Sequence, residues 1–248
     1  MTAEREAKTS VNQPERVLIT GGAAGIGAAI VRRCIEAGYD PVVIDRETHR
    51  DVRSIKADLT DEVQTKKALS VALADGPITR LVNNVGVVFP ASLAEQTLEE
   101  FDIAVALNLK CALIAMQTLL PGMQEAGFGR VVNMSSRAAL GKELRSAYSA
   151  TKAGLVGLTR VWALELGQYG ITVNAIGPGP IRTELFEGAN PSGSDRTRAI
   201  IEGVPVKRIG EPEDVAHSTA FFLDRQSGFV TGQILYVCGG LTIGRAPV

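Results

Sequence analysis

The chain has 248 residues, a length typical of one α/β domain and short for two. Its 26 basic and 27 acidic residues leave a formal net charge of −1, whereas nucleic-acid-binding proteins usually carry a basic surplus or stripe. Apolar residues make up 45% of the sequence and charged residues 21%, which favours a sizeable core over disorder. We therefore expect a globular protein without a nucleic-acid partner.

Several other classes of protein are disfavoured. No run approaches the roughly 20 apolar residues of a membrane helix, and residues 1–16 lack the hydrophobic core of a signal peptide. Two histidines are too few for a multi-histidine metal site, and no G-x-S-x-G elbow indicates a hydrolase. Three scattered cysteines without C-x-x-C spacing favour neither a disulfide framework nor a zinc site. These features favour a cytoplasmic protein without membrane association or metal.

Short apolar runs alternate with segments of helical periodicity after a flexible tail over residues 1–15. The predicted strands are 17–19, 41–45, 52–57, 81–84, 130–134, 171–176 and 234–237. The predicted helices are 25–37, 61–74, 97–124, 146–168 and 212–223, whereas glycines and prolines predict irregular structure over 182–210. The pattern predicts one domain over 16–248, a doubly wound (Rossmann) parallel sheet of about seven strands with helices on both faces. Ligands of such sheets bind at the carboxyl ends of the strands.

A glycine-rich turn, residues 20–27 (T-G-G-A-A-G-I-G), follows the first strand and opens the first helix. Glycines let the backbone turn tightly and approach a pyrophosphate, whose charge then meets the helix N-terminus. The spacing differs from G-x-G-x-x-G, and no Gly-Lys-Ser/Thr of a phosphate-binding P-loop follows. Asp45 ends the second strand 20 residues beyond Gly25, where a carboxylate accepts hydrogen bonds from ribose hydroxyls. Together they predict a dinucleotide site.

Tyr148 and Lys152 are spaced i, i+4 on a predicted helix and share one face. A nearby ammonium favours the phenolate, so we expect the pKa of Tyr148 to fall below its ordinary value of about 10. That would make Tyr148 an acid or base near neutral pH. Ser135 and Ser136 end the fifth strand, and Asn108 lies in the preceding long helix.

With these residues the sequence resembles the short-chain dehydrogenase/reductase family in its single-domain form, and within it the 3-oxoacyl-carrier-protein reductases. The resemblance covers about residues 14–244 and implies an NAD(P)-dependent enzyme acting on CH–OH donors. It rests on residues 20–27, Asp45, Asp58, Leu59, 83–86, Asn108, Ser136, Tyr148, Lys152, 178–183, 208–216, 231–232 and 239–240.

The resemblance implies four catalytic residues. Tyr148 would give a proton to a ketone or take one from an alcohol, and Ser136 would orient the substrate oxygen. Lys152 would hold the nicotinamide ribose and shift the pKa of Tyr148, while Asn108 would anchor a water of the proton relay. The interval from Ser136 to Tyr148 is 12 residues, one shorter than the common family spacing, so Ser135 remains an alternative.

The resemblance also implies cofactor contacts along the whole edge of the sheet. They are Gly21, Ala24, Gly25, Ile26 and Gly27 at the pyrophosphate; Asp45 at the adenosine ribose; Asp58 and Leu59 at the adenine; the Asn83 backbone at the ribose; and Ile181 and Thr183 at the carboxamide. Arg46, Val85, Gly86, Pro178 and Gly179 complete the predicted cofactor site. Val85 replaces the usual alanine, from which we expect a small local shift. Cys238 stands where an aspartate is usual, which bears on subunit contacts.

Cofactor choice follows from charge. The 2′-phosphate of NADP would lie beside Asp45, and the glycine turn has Ala23 and Ala24 where NADP-preferring relatives tend to carry a basic residue. We therefore expect NAD(H) to be preferred over NADP(H). Arg46 is the counter-argument, since it follows Asp45 directly and could pair with a phosphate.

The substrate is less determined. A lid over about 184–207 mixes apolar residues with Asp195, Arg196 and Arg198, so a 3-oxoacyl-type or small ketone, or a sugar or polyol, remains open. A non-catalytic dinucleotide sensor is disfavoured because the serine, tyrosine and lysine are all present. The helices over 97–124 and 146–168 carry excess apolar surface, which, with the resemblance, predicts a homo-oligomer; we expect a tetramer, and a dimer stays open.

Overall fold

The computed structural model describes residues 14–243 and contains a seven-stranded parallel sheet. Its strands are β1 (Arg16–Thr20), β2 (Asp40–Asp45), β3 (Arg53–Lys56), β4 (Arg80–Asn83), β5 (Gly129–Met134), β6 (Ile171–Pro178) and β7 (Ile234–Val237). Their order is β3-β2-β1-β4-β5-β6-β7, and every neighbouring pair is parallel. The chain changes direction across the sheet between β1 and β4, which makes the carboxyl ends of these strands the expected ligand site. The predicted doubly wound sheet is confirmed.

Eight α-helices lie in the described chain. They are α1 (Gly25–Glu36), α2 (Glu62–Leu73), α3 (Leu98–Val105), α4 (Cys111–Glu125), α5 (Ser146–Leu166), α6 (Glu184–Ala189), α7 (Asp195–Gly203) and α8 (Pro212–Leu223). Side-chain oxygens of Asp61, Thr97 and Ser194 accept hydrogen bonds from first-turn N–H groups of α2, α3 and α7, which fixes where these helices begin.

The core consists of two apolar layers, one on each face of the sheet. In β1, Val17 and Ile19 pack with α1 and α8, whereas Leu18 packs with α2, α4 and α5 on the opposite face. All three side chains are fully buried. Since side chains alternate between the faces of a strand, a strand covered on both sides is apolar throughout, as the sequence pattern indicates.

Two predicted elements differ from the structure. The predicted helix over 97–124 is interrupted by a π-helical turn, Ala106–Lys110, which separates α3 from α4. The prediction of irregular structure over 182–210 was wrong, because α6 and α7 lie there. Most of the helix-breaking residues in this segment stand at helix ends: Pro191 and Gly193 lie between the two helices, and Gly203 ends α7.

The stretch Leu98–Glu125 is long and apolar enough, by length and composition, to cross a membrane. The expectation that no segment reaches this threshold was therefore wrong. In the structure the apolar side chains of this stretch pack on the sheet, with Ala115, Leu119 and Met123 almost fully buried in the core. A core helix of an α/β fold accounts for its composition.

Most of the predicted tail, and residues 244–248, lie outside the described chain. Glu15, the last residue of the predicted tail, is held in place by ion pairs to Arg80 at 2.7 Å and to Arg225. The three cysteines are buried and unpaired with one another. Burial raises the pKa of the Cys34 and Cys111 thiols to about 12, as expected of small apolar core residues.

Candidate active site

A cavity of about 550 Å³ opens at the carboxyl edge of the sheet, where β1, β4, β5 and β6 end. Its wall brings together nine of the residues predicted for the site: Ile26, Gly86, Ser136, Tyr148, Lys152, Pro178, Gly179, Ile181 and Thr183. Eleven others do not line this cavity, and most lie along the same edge: Gly21, Ala24, Gly25, Gly27, Asp45, Arg46, Asp58, Leu59, Asn83, Val85 and Asn108. Among residues 14–243, no group of three His, Cys, Asp or Glu side chains is placed to hold a metal.

The glycine turn requires glycine for conformation and for space. Gly21 and Gly25 have φ values of +69° and +54°, which side chains other than glycine rarely adopt. A Cβ on Gly27 would lie 1.9 Å from the Gly21 carbonyl oxygen. No side chain caps α1, whose N-cap residue is Ala24, so its first-turn N–H groups remain available to an anion.

Neighbouring strands brace this turn. The side-chain amide of Asn84 donates to the carbonyl oxygens of Gly21 at 2.7 Å and Thr20 at 3.2 Å. The Thr20 hydroxyl accepts from the Asn84 backbone N–H at 3.1 Å. Sequence reasoning did not assign a role to either side chain; their positions directly after two central strands were the available signal. The side chain of Val85 packs against the core beneath this turn.

A polar ladder lies under the floor of the site. Asn83 donates to the Asn133 side chain at 2.8 Å, and Asn133 donates to the Thr159 hydroxyl at 2.9 Å. Asn133 and Thr159 are fully buried and were not singled out by the sequence. Because the Asn83 amide is bound within the protein, any contact of Asn83 with a ligand falls to its backbone.

The two serines after β5 have different surroundings. The Ser135 hydroxyl is buried and donates to the Lys152 carbonyl oxygen at 2.8 Å, which ties β5 to α5. The Ser136 hydroxyl accepts from the Ala138 N–H at 3.1 Å and lies on the cavity wall, where it also hydrogen-bonds with the Tyr148 phenol. This geometry favours Ser136 over Ser135 as the residue that meets a substrate.

Lys152 is a buried cation without an anion. Its side chain is 3% exposed, and its ammonium donates to the Met134 carbonyl oxygen at 2.7 Å. No carboxylate of the described chain lies within ion-pair distance of it. Burial lowers the pKa of Lys152 to about 8. An ammonium has three N–H donors, so those not held by Met134 can meet hydroxyl groups of a ligand.

The pKa of Tyr148 is raised rather than lowered. Removal of the phenol from water is the largest effect, and it outweighs the opposing influence of the Ser136 hydroxyl and the Arg145 guanidinium. The Lys152 nitrogen lies 5.6 Å from the centre of the Tyr148 ring. The prediction of a lowered pKa was therefore wrong for this structure, because helical spacing says nothing about desolvation.

The side chain of Asn108 acts as a brace. It lies in the π-helical turn, accepts from the Val87 N–H at 2.7 Å and donates to the Val87 carbonyl oxygen at 3.0 Å. It also donates to the Thr151 hydroxyl at 3.1 Å, next to the catalytic face of α5. Both amide protons are thus used within the protein. A Cβ on Gly86 would lie 3.2 Å from the Asn108 oxygen and 3.1 Å from the Lys152 nitrogen, so this corner is tightly packed.

The carboxylates of Asp45 and Asp58 and the guanidinium of Arg46 lie where β2 and β3 reach the carboxyl edge of the sheet. Asp45 accepts from the Ala23 N–H at 3.0 Å and from the Arg46 N–H at 2.6 Å. The Arg46 guanidinium pairs with Asp58 at 2.8 Å. Leu59 is 4% exposed and packs in the core, so only its backbone is left to touch a ligand.

Comparisons with known proteins identify the family. A family model described as enoyl-(acyl carrier protein) reductase matches residues 21–242. Subunit BbsD of a hydroxy(phenyl)methylsuccinyl-CoA dehydrogenase from Thauera aromatica is 36% identical over 241 residues, which cover 91% of this chain and 96% of that protein. A 3-oxoacyl-(acyl-carrier-protein) reductase of Rickettsia bellii is 31% identical, covering 92% of this chain and 96% of its own.

A solved structure agrees with these relatives. A blue fluorescent protein from a metagenomic library, crystallised with NADPH, has a TM-score of 0.84 and 32% identity, covering 92% of this chain and 98% of that one. The chain belongs to the short-chain dehydrogenase/reductase family and is an NAD(P)-dependent oxidoreductase of it. The uncapped α1, the glycine turn and the free ammonium donors of Lys152 fit a nicotinamide dinucleotide.

The crowding at Gly27 yields a test. Gly27→Ala forces its methyl group against the Gly21 carbonyl oxygen, so the turn must shift. We expect the Kd for NADH, measured by calorimetry, to rise at least about tenfold, or 1.4 kcal/mol. Gly167→Ala is the matched control, since Gly167 has φ −55° and no neighbour within 4 Å of the added carbon. Equal affinities of the two variants would contradict this role of the turn.

Proposed function

We propose that the protein is an NAD(H)-dependent oxidoreductase that interconverts a secondary alcohol and a ketone. The convergence of Ser136, Tyr148 and Lys152 on one cavity wall, beside the glycine turn, carries this proposal. When bound, the nicotinamide supplies or accepts the hydride, and the protein contributes position and a proton.

Tyr148 is the proposed acid and base. Its raised pKa keeps the phenol protonated at neutral pH, which suits proton donation to a ketone oxygen. Ser136 donates a hydrogen bond to the same oxygen, since its hydroxyl lies beside the Tyr148 phenol on the cavity wall. In the opposite direction the phenolate form of Tyr148, having given up its own proton, accepts the proton of the alcohol.

Lys152 and Asn108 support this pair. The free donors of the Lys152 ammonium bind the hydroxyls of the nicotinamide ribose. The Asn108 side chain holds the segment after β4 against α5, and the anchoring of a relay water falls to its backbone carbonyl. The pyrophosphate binds at Gly21, Ala24, Gly25, Ile26 and Gly27, and the carboxamide at Pro178, Gly179, Ile181 and Thr183.

Removal of one hydroxyl tests the role of Tyr148. Tyr148→Phe keeps the ring and deletes the transferable proton, so we expect kcat to fall roughly 10²–10⁴-fold with the Kd for NADH nearly unchanged. Tyr169→Phe, at an exposed tyrosine after α5, is the control and keeps full activity. Retained turnover in Tyr148→Phe would remove Tyr148 from the mechanism.

Charge at the ribose end supports NAD(H) over NADP(H). Two carboxylates, Asp45 and Asp58, stand against one guanidinium, and Arg46 is already paired with Asp58. A 2′-phosphate would have to displace that pair and approach Asp45. At an effective dielectric of 20, two unit charges 4 Å apart interact by about 4 kcal/mol, which screening reduces to about 2–3 kcal/mol. The complex of the structural neighbour with NADPH concerns that protein's own ribose site.

Paired kinetics with one ketone test this preference. We expect kcat/KM to be on the order of 10² higher with NADH than with NADPH. Asp45→Ser should reduce this ratio by relieving the repulsion, while Asp40→Ser, at the exposed start of β2, leaves it unchanged. A wild-type ratio near one, or a ratio that Asp45→Ser does not alter, would refute the assignment to Asp45.

The proposed substrate is a 3-oxoacyl-type or small ketone, with a sugar or polyol as the alternative. The named activities of the two relatives support the first class. A panel of ketones, alcohols and polyols, assayed by absorbance of the reduced nicotinamide with both cofactors, distinguishes these classes. Dinucleotide binding without turnover of any member would instead indicate a sensor.

We also propose a homo-oligomer, a tetramer, in the cytoplasm. Part of the apolar surface of the two long helices is buried within the protein's own fold, including Met116, Leu155, Trp162 and Leu166. Val161 and Leu164 of α5 remain 47% and 86% exposed, which leaves an apolar strip for a second copy. We expect light scattering at micromolar concentration to give four times the chain mass; a stable monomer would contradict the assembly.

A further inference from the structure

Four cationic side chains line the cavity beside Tyr148: Arg137, Lys142, Arg145 and Arg196. Within residues 14–243, none of them has a carboxylate oxygen within 4.0 Å. Other arginines at this edge are paired: Arg182 with Glu211, and Arg208 with Asp214. The cavity therefore has an excess of positive charge that the protein does not neutralise.

The lid contains both acidic and basic residues in the sequence, but in the structure they occupy different surroundings. Arg198 pairs with Asp195 on α7 and donates to the Gly193 carbonyl oxygen. Arg196, two residues before Arg198, lines the cavity instead. The charges of Arg198 and Asp195 therefore neutralise each other within α7. Arg196 is the cation of α7 that lines the cavity.

Arg145 is held in place by the backbone. Its guanidinium donates to the Leu144 carbonyl oxygen at 2.8 Å, and the same oxygen accepts from the Ala91 N–H at 3.3 Å. Leu144 has φ +58°, a conformation that is strained for a residue with a branched side chain. Such strain is found where the surrounding structure holds a functional group in place. Here it occurs next to the cation closest in sequence to Tyr148.

The cations affect one another. Burial lowers the pKa of Lys142, and repulsion from Arg145, Arg137 and Arg196 lowers it further. Burial and Arg196 act on Arg145 in the same way. Glu143 is adjacent in sequence but pairs with none of them at ion-pair distance. Collecting like charges in a cavity is unfavourable unless a bound anion offsets the repulsion.

We propose that the substrate carries an anionic oxygen group, a carboxylate or a phosphate, which Lys142, Arg145 and Arg196 bind at the wall of the cavity that holds Tyr148. This inference rests on the proposed function and narrows its substrate to anionic ketones or hydroxy acids. Phe186 and Ile200, also in the wall, pack against the apolar remainder of the molecule. The cations determine specificity and bind through charge, so their effect falls on KM rather than on kcat.

Matched pairs of substrates test the charge requirement with NADH as the reductant. 4-Oxopentanoate and 5-oxohexanoate are each compared with their methyl esters, and acetoacetyl-CoA with the neutral acetoacetyl-N-acetylcysteamine thioester. We expect at least one anionic member to have a kcat/KM ten times or more that of its neutral partner. Preference confined to the keto acids identifies a carboxylate, and preference confined to the CoA ester identifies a phosphate.

Two arginines of α7 provide matched variants. Arg196→Ala should raise KM for the preferred anion at least fivefold and leave the neutral partner and kcat nearly unchanged. Arg198→Ala removes an arginine that is already paired and should change neither. Neutral partners used as well as the anions, or equal effects of the two variants, would overturn the proposal.

A binding measurement separates this inference from the proposed function. Glutarate, coenzyme A and dimethyl glutarate contain no ketone to reduce, so calorimetric titration of the cofactor-bound protein does not depend on turnover. We expect glutarate or coenzyme A to bind, Arg196→Ala to weaken that binding at least fivefold and Arg198→Ala to leave it unchanged. Absence of binding by both anions would overturn the inference, whereas anion binding without turnover of any ketone would refute only the proposed function.

Discussion

Burial of the Lys152 ammonium is the constraint on which the site depends. Three parts of the chain meet around this residue. At the end of β5 the Met134 carbonyl oxygen accepts from the ammonium and the Ser135 hydroxyl binds the Lys152 backbone, while Gly86 and Asn108 close the remaining side. A buried charge without a paired anion is costly, and its burial lowers the pKa of Lys152 to about 8. The protein offsets part of that cost with one hydrogen bond, and under the proposed function the remaining donors bind the cofactor.

The same constraint explains the polar residues around the site. Asn108 ties the segment after β4 to α5, and the π-helical turn places it there by interrupting the long helix. Asn84 fixes the glycine turn from the neighbouring strand. Each of these side chains fixes the backbone that presents another group, so the residues proposed for catalysis stand at strand ends and on one helix.

Much of the fold was readable from the sequence because its strands are buried on both faces and appear as short apolar runs between helices. The glycine turn and the spacing of Tyr148 and Lys152 were readable because local sequence determines both. The direction of the pKa shift at Tyr148 was not, since it arises from desolvation by distant segments. The separate roles of Ser135 and Ser136 depend likewise on which hydroxyl faces α5 and which faces the cavity.

The charge of the cavity could not be predicted from the sequence either. The sequence is nearly neutral and its lid is mixed, yet folding pairs Arg198 with Asp195 and leaves Arg196 in the cavity wall. The net charge of the sequence counts all charged residues equally, whereas a ligand contacts only the side chains at one edge of the sheet. Under the proposed function, the charge of the substrate is determined by the folded site, and the preference between NAD(H) and NADP(H) by Asp45, Arg46 and Asp58 at its other end.

The pH dependence of NADH binding tests the role of Lys152 most directly. The ammonium form exists below a pKa of about 8, so the Kd for NADH should be constant from pH 6.5 to 7.5 and rise above pH 8, by up to about tenfold per pH unit. Lys152→Met should bind NADH more weakly at every pH and show no such rise. A wild-type Kd unchanged to pH 9.5, or the same rise in Lys152→Met, would contradict the account.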